Sequence, residues 1–364
     1  MTQQSLKNKR SEIRFRRDLI SQQVEDAAIF DDEYDAKGIE EILTARMEET
    51  ARKMRLLKEE GVRLSPYIEI GAERCQSSLV MENDFGATGA AVDISYDMLK
   101  SCSYYAGVFG KTKIPLRACC DVYNLPFRSN SIPFAFCYET LHHFPDLTPV
   151  IKEIHRVLSP GGYFFFDKEP YRQILHLSLY KRKKAAFRGQ QAKATQLSGA
   201  SKLRKISSPI LFLKIRKMCD DFFSTAELNE IKYGIIENHG LSVGAWKRAL
   251  GLFDEKRVEL QSRAGVNTGL FGPRHSARFL KAWLFGGNIT GLCRKIGSAV
   301  KDDVSLQDTT ICPCCQKDKR ESGLTQNGRF FSCKVCSSDF PVVDGVIFLL
   351  TPEERKKLYP EIFE

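Results

Sequence analysis

A chain of 364 residues, 43% hydrophobic and 27% charged, is long enough for two or three domains. It has the balance of a folded globular protein, which excludes a mainly disordered chain, a collagen-like repeat and a small disulfide-stapled scaffold. The net charge is +10; no run approaches the roughly 18 apolar residues of a membrane span, and the polar opening MTQQSLKNKRSEIRFRRDLI lacks the apolar core of a signal peptide, so a cytoplasmic setting is expected. Residues 1–37 are polar and charge-rich and read as a loosely held arm or helix. From Ile39, the apolar positions Leu43, Met47, Met54 and Leu57, joined by Ile42, recur at spacings of three, four and seven, which predicts an amphipathic helix ending near Gly61.

Short apolar runs at 67–70, 87–92, 114–119, 133–138 and 163–166 then alternate with helical patterns. Between the last two, Thr148 as N-cap, Pro149 at N1 and an apolar face of Val150, Ile151, Ile154, Val157 and Leu158 predict a helix that Pro160-Gly161-Gly162 ends. Strands and helices alternating in this way mean a parallel sheet covered on both faces. The pattern fades over 171–221, read as a basic insertion over the active face. It resumes at Ser224-Thr225-Ala226-Glu227, a capping box opening a helix that ends near Gly240. Residues 241–246 and 279–285 are expected as the closing strands.

In an open parallel sheet the ligand lies beyond the carboxyl ends of the strands, where strand order switches. Three of these ends carry acids. The first strand runs into Glu69-Ile70-Gly71-Ala72-Glu73, the second ends in Asp93, 22 residues after Gly71, and the third in Asp121. An acid in the second position can accept hydrogen bonds from both ribose hydroxyls of a nucleoside cofactor.

These residues, with Val92-Asp93-Ile94-Ser95, Leu125-Pro126-Phe127, Leu141-His142-His143 and Leu158-Ser159-Pro160-Gly161-Gly162, make the chain similar over about 67–167 to class I S-adenosylmethionine-dependent methyltransferases. The resemblance is to the broad group that includes the ubiquinone and menaquinone biosynthesis enzymes. It implies an α/β fold with a Rossmann-like, seven-stranded, mostly parallel sheet spanning 38–300, and S-adenosylmethionine as cofactor. Glu69, Gly71 and Glu73 would then lie by the methionine part, Asp93 and Ile94 by the ribose, and Asp121 with the Val122 backbone by adenine. Tyr138 and Glu139 would flank the departing methyl. One departure stands out: the family's first loop carries further glycines where this chain has Glu73 and Cys75. Side chains there obstruct close approach of the ligand, although Glu73 can also meet the cofactor's amino group.

Methyl transfer from a sulfonium needs in-line positioning and sometimes a base. The candidates are His142, His143 and Glu139. No Asn/Asp-Pro-Pro-aromatic motif follows the fourth strand, which disfavours methylation of exocyclic base amines. No Pro-Cys pair stands there for a covalent cysteine mechanism, and Cys119 and Cys120 fall on a buried strand.

Of twelve cysteines, eight are scattered, as reduced thiols would be. The others form Cys312-x-x-Cys315, seventeen residues, then Cys333-x-x-Cys336, the two-knuckle spacing of a closed, structural Zn²⁺ site. Cys314, inside the first knuckle, is expected to be a bystander or a substitute for Cys315. With the apolar run after it, 309–351 resembles the small zinc-ribbon proteins that bind and activate methyltransferases, here acting in cis. The basic excess is concentrated, with 13 Lys or Arg at 171–218, six at 264–301 and no acid in either stretch. Such a field attracts phosphate, RNA or an anionic membrane surface, to which the protein would be peripheral. The leading expectation is a methyltransferase acting on a small-molecule or lipid-linked acceptor. An RNA methyltransferase and a non-catalytic scaffold are the alternatives.

Overall fold

The computed structural model describes residues 3–25, 36–171, 233–235, 241–262, 265–272, 276–298 and 305–364. The 171–221 insertion beyond Tyr171 and the helix expected after Ser224 lie outside the described residues.

Two long helices, α1 (Gln3–Glu25) and α2 (Ala36–Glu59), precede the sheet. Leu43, Met47, Met54 and Leu57 form the buried face of α2, and Gly61, at φ +83°, ends the run. The chain then alternates through β1 (Tyr67–Ile70), α3 (Gln76–Asp84), β2 (Gly89–Asp93), α4 (Tyr96–Val108), β3 (Leu116–Cys120), β4 (Ile132–Tyr138), α5 (Leu147–Val157) and β5 (Leu158–Tyr171). β1 pairs in parallel with both β2 and β4, so the winding reverses beside it. Successive residues of β1 serve opposite faces, as the strand period requires. Ile68 and Ile70 join Ile151 and Ile154 of α5, while Tyr67 packs in the cluster of Met54 and Leu57 from α2. The N-cap of α5 is Asp146, whose carboxylate accepts the Thr148 N–H at 2.9 Å; Thr148 itself, expected as the cap, is already helical.

The two expected closing strands are helices. In α6 (Val243–Ala249), the Ser242 hydroxyl accepts the Ala245 N–H, and Val243, Trp246 and Ala249 recur at the helical period and are buried. In α7 (Ala277–Phe285), Ser276 caps through the Phe279 N–H, and Phe279 and Ala282 face inward. The sheet is completed by β6 (Glu255–Ser262), β7 (Asn267–Gly269) and β8 (Gly287–Arg294), all antiparallel to their neighbours.

The cysteine-bearing segment holds two short helices, α8 (Leu306–Thr309) and α9 (Pro313–Lys317), then β9 (Thr325–Asn327), β10 (Phe330–Ser332), β11 (Asp339–Val343) and β12 (Val346–Leu349). It is stitched into the main sheet, because β12 pairs in parallel with β3 from Val346↔Arg117 to Leu349↔Cys120. The result is a mixed sheet of twelve strands in the order β7-β6-β8-β5-β4-β1-β2-β3-β12-β11-β10-β9, larger than the seven strands expected. Two last helices, α10 (Pro352–Leu358) and α11 (Pro360–Phe363), fold back over α4 and α1. Among the described residues no helix is long and apolar enough to cross a membrane.

Candidate active site

The carboxyl ends of β1, β2, β3 and β4 open into one cavity of about 510 Å³, within the range of ligand pockets. Its floor is the turn after β1. Gly71 sits at φ +66°, and a Cβ there would lie 2.3 Å from the Thr140 methyl, so only glycine fits. Glu73 and Cys75, in the positions of the missing family glycines, are both left-handed, at φ +44° and +62°. That conformation costs an L-residue about 1–2 kcal/mol, and both side chains offset it. Cys75 is fully buried in a cluster with Ile13, Leu79 and Cys102. Glu73 takes Arg16 of α1 at 2.5 Å and Arg46 of α2 at 3.1 Å. Burial alone would raise the Glu73 carboxyl, but Arg16, Arg46 and Arg74 outweigh it and hold it at about 2. Its side chain forms part of the wall and leaves the cavity open.

Asp93 and Asp121 also face the cavity. Asp93 accepts the Ser95 N–H at 2.8 Å and the Glu73 N–H at 3.0 Å. Burial pushes it up to about 6 against those bonds and Arg16. Asp121 accepts the Tyr123 N–H at 3.1 Å and pairs with Lys9 of α1. Ile94 and Val122 contribute the apolar wall between them.

The roof is α1, in the segment expected as a loosely held arm or helix. Gln4, Asn8, Lys9, Glu12 and Arg16 line the cavity from above, while Ile13 and Phe15 are buried. The helix is held by Arg10, which donates to the Lys357 carbonyl at 2.8 Å, and by Arg17, which pairs with Asp97 at 3.0 Å and with Glu361.

The segment after β4 forms the remaining wall through Glu139, Thr140, His143, Phe144 and Pro145. Glu139 pairs with Arg46 at 3.2 Å. His142, expected beside it, is turned away from the cavity. Its Nδ1 lies 3.0 Å from the buried Glu169, and its ring packs on His143 at 4.3 Å between centroids. Tyr138 also lies off the cavity wall, with Lys168 and Arg46 over its ring. Glu69 is buried beneath the turn, where it accepts the N–H and hydroxyl of Ser78 at 2.9 and 2.5 Å. Burial raises it to about 8, so it serves the start of α3 as a mostly neutral acid. The cavity thus brings together Gly71, Glu73, Asp93, Ile94, Asp121, Val122, Glu139 and His143, and leaves Glu69, Tyr138 and His142 behind its walls.

Residues 68–166 match the family described as a methyltransferase domain. These residues are a class I S-adenosylmethionine-dependent methyltransferase domain. Among solved structures, the chain resembles a SAM-dependent methyltransferase of Methanosarcina mazei at 18% identity, covering 66% of this chain and 97% of that one with a TM-score of 0.38. It also resembles a complex between the Haloferax volcanii Trm112 methyltransferase activator and a methyltransferase, at 14% identity, 72% and 96% coverage and a TM-score of 0.40. The YcgJ protein of Bacillus subtilis stands at 14% identity, 69% and 100% coverage and a TM-score of 0.38. At this level of similarity none of them bears on what the chain methylates. No curated protein matches it.

The chain carries a second constellation, in the segment at the β9 edge of the sheet. The sulfurs of Cys312, Cys315, Cys333 and Cys336 all lie within 4.8 Å of one another, with Cys312 to Cys336 at 3.5 Å and Cys315 to Cys333 at 3.7 Å. A tetrahedral Zn–S₄ centre with bonds of about 2.3 Å sets sulfurs about 3.8 Å apart, so the donor set fits zinc. Cys314 falls outside the four.

Proposed function

We propose that the chain transfers a methyl group from S-adenosylmethionine to a small-molecule or lipid-linked acceptor, as its resemblance to the ubiquinone and menaquinone enzymes suggests. The observation that carries this is the single cavity at the ends of β1 to β4, with carboxylates after β2 and β3 and a glycine-only floor. When bound, the cofactor supplies an electrophilic methyl on a sulfonium. Asp93 would hold the ribose hydroxyls and Asp121, with the Val122 backbone, the adenine; each carboxylate has lone pairs left beyond the bonds it already makes. Gly71 allows close approach at the methionine end, where Glu73 would meet the amino group. Of the three candidate bases, Glu139 and His143 are on the wall to take a proton from an acceptor, while His142 acts from behind. The roof by α1 favours a small acceptor over a structured RNA, and the cysteine module would support the catalytic domain in cis.

Calorimetry with S-adenosylmethionine should show one site per chain. Ribose hydroxyls must donate to an ionised Asp93, and its raised pKa means a proton has to leave below pH 6. Affinity should therefore climb about tenfold per pH unit up to about 6 and level off above it. Asp93→Ala should abolish the heat while circular dichroism stays unchanged; retained affinity would remove the ribose assignment. Absence of heat in the wild type would leave only a scaffold. Transfer of labelled methyl from the bound cofactor should then appear in lipid or metabolite fractions; label in RNA alone would reverse the choice of acceptor.

A further inference from the structure

Outside the cavity, the most constrained polar group of the C-terminal segment is the hydroxyl of Tyr359. Its side chain is 0% exposed, between α10 and α11, and the two backbone groups it bonds lie 263 and 265 residues earlier in the chain. Its oxygen accepts the Tyr96 N–H at 2.9 Å and its proton goes to the Ile94 carbonyl. The Cys119 thiol lies 3.7 Å from the same oxygen and, with its one proton, 3.3 Å from the Ile94 carbonyl, which it shares with Tyr359. The ring is locked edge-on against Phe348 of β12 at 5.3 Å and against Tyr96 at 6.3 Å.

The three residues so clamped are Ile94 and Ser95, which join β2 to α4, and Tyr96, the first residue of α4. Ile94 lines the cavity, and the Ser95 N–H is one of the two donors that orient Asp93. The Tyr96 N–H is at the start of α4, where helix geometry supplies no partner. Ser95 is fully buried and Tyr96 nearly so, so water has little access to replace a missing partner. One phenolic hydroxyl thus satisfies a donor and an acceptor on either side of the residue that aims the second-strand carboxylate.

We propose that Tyr359 is a positioning residue of the cofactor site: the tail beyond the cysteine module, through this hydroxyl, fixes the loop that presents Asp93 and Ile94 to the adenosine part of the ligand. The proposal rests on the assignment of Asp93 to the ribose. It makes one hydroxyl of the C-terminal segment, that of Tyr359, a support of the binding loop. By reciprocity of coupling, a ligand on Asp93 must also stabilise the tail.

The test uses the full chain, zinc-loaded, with S-adenosylhomocysteine as probe. Tyr359→Phe keeps the ring and removes the clamp, and should weaken the affinity by about tenfold, measured well below its unfolding temperature. Phe363→Leu is the control: it loosens the same aromatic cluster, in which Phe363 meets Phe348 at 4.9 Å, without touching the loop, and should bind as the wild type does. An affinity within twofold of the wild type in Tyr359→Phe, or an equal loss in the control, overturns the proposal. Hydrogen exchange on the wild type provides an arm that needs no variant. The probe should slow exchange at 94–98 and at 352–363 together; protection confined to 94–98 overturns the proposal as well. A wild type that does not bind the probe defeats the cofactor assignment itself, and the role of Tyr359 with it.

Discussion

Replacing Cys333 by Ser should release one equivalent of zinc and lower stability by about 3–5 kcal/mol, less than the roughly 10–16 kcal/mol that zinc contributes to isolated zinc-finger peptides. The difference follows from how the module is held. Its outer strands have little burial of their own: all three residues of β9 are exposed and only Phe331 of β10 is buried. A zinc ion on the four sulfurs would therefore add a tie for the segment between the two knuckles. Its inner part is anchored without metal, since Phe340, Val346, Phe348 and Leu349 are buried in the clusters that cover the main sheet and β12 is paired with β3. Loss of zinc should melt the knuckles and spare β12. The knuckle also touches the cavity's neighbourhood, because Gln316 donates to the Leu125 carbonyl at 3.0 Å and the Ile311 N–H to that of Pro126 at 2.9 Å, a few residues after Asp121. Metal content by mass spectrometry and thermal unfolding check this. Cys314→Ser should leave both unchanged. A Cys333→Ser protein with full zinc and wild-type stability would remove the metal centre.

How much of this was legible in the sequence depended on whether a residue's partners are near it in the chain. β1 was readable to the residue, because Tyr67–Ile70 is a short apolar run between Pro66 and Gly71. Asp93 and Asp121 were readable as strand ends, and the four cysteines by spacing. The closing strands were not. The N-cap serines 242 and 276 were passed over, and β6, Glu255-Lys-Arg-Val-Glu-Leu-Gln-Ser262, buries only alternate residues at its end and looks polar in a window. The roof left a usable trace, since Lys9, Ile13 and Arg16 stand at i, i+4 and i+7 on one helix face. The run Val346–Leu349, apolar throughout, is the signature of a strand buried on both faces; read as part of a ribbon, it concealed the join to β3. Glu169 left no trace at all. Of the two acids that follow the aromatic run, Asp167 and Glu169, nothing local marks the second, and its partners come from a turn 27–29 residues earlier.

Glu169 should also be the residue whose loss is felt most outside the metal site. It is 0% exposed, and four donors converge on it. One oxygen accepts the N–H groups of Thr140 and Leu141 at 2.7 and 2.8 Å; the other accepts the His142 N–H at 3.2 Å and the His142 Nδ1–H at 3.0 Å. These bonds shape the turn that carries Glu139, Thr140 and His143 to the cavity. Glu169→Ala strands three buried backbone donors and should cost about 3–5 kcal/mol in urea unfolding, with weaker cofactor binding as the wall loosens. Glu169→Gln separates shape from chemistry. Its carbonyl can keep Thr140 and Leu141, but its amide then points donors at the His142 N–H and at Nδ1. The imidazole has to move its proton to Nε2 and accept at Nδ1, a change that ¹⁵N spectra of the ring nitrogens report directly. The variant should fold with an intermediate loss of stability and an inverted His142 tautomer. An unchanged tautomer, or an alanine variant within 1 kcal/mol of the wild type, would mean that the turn after β4 holds itself and that His142 is oriented by something other than Glu169.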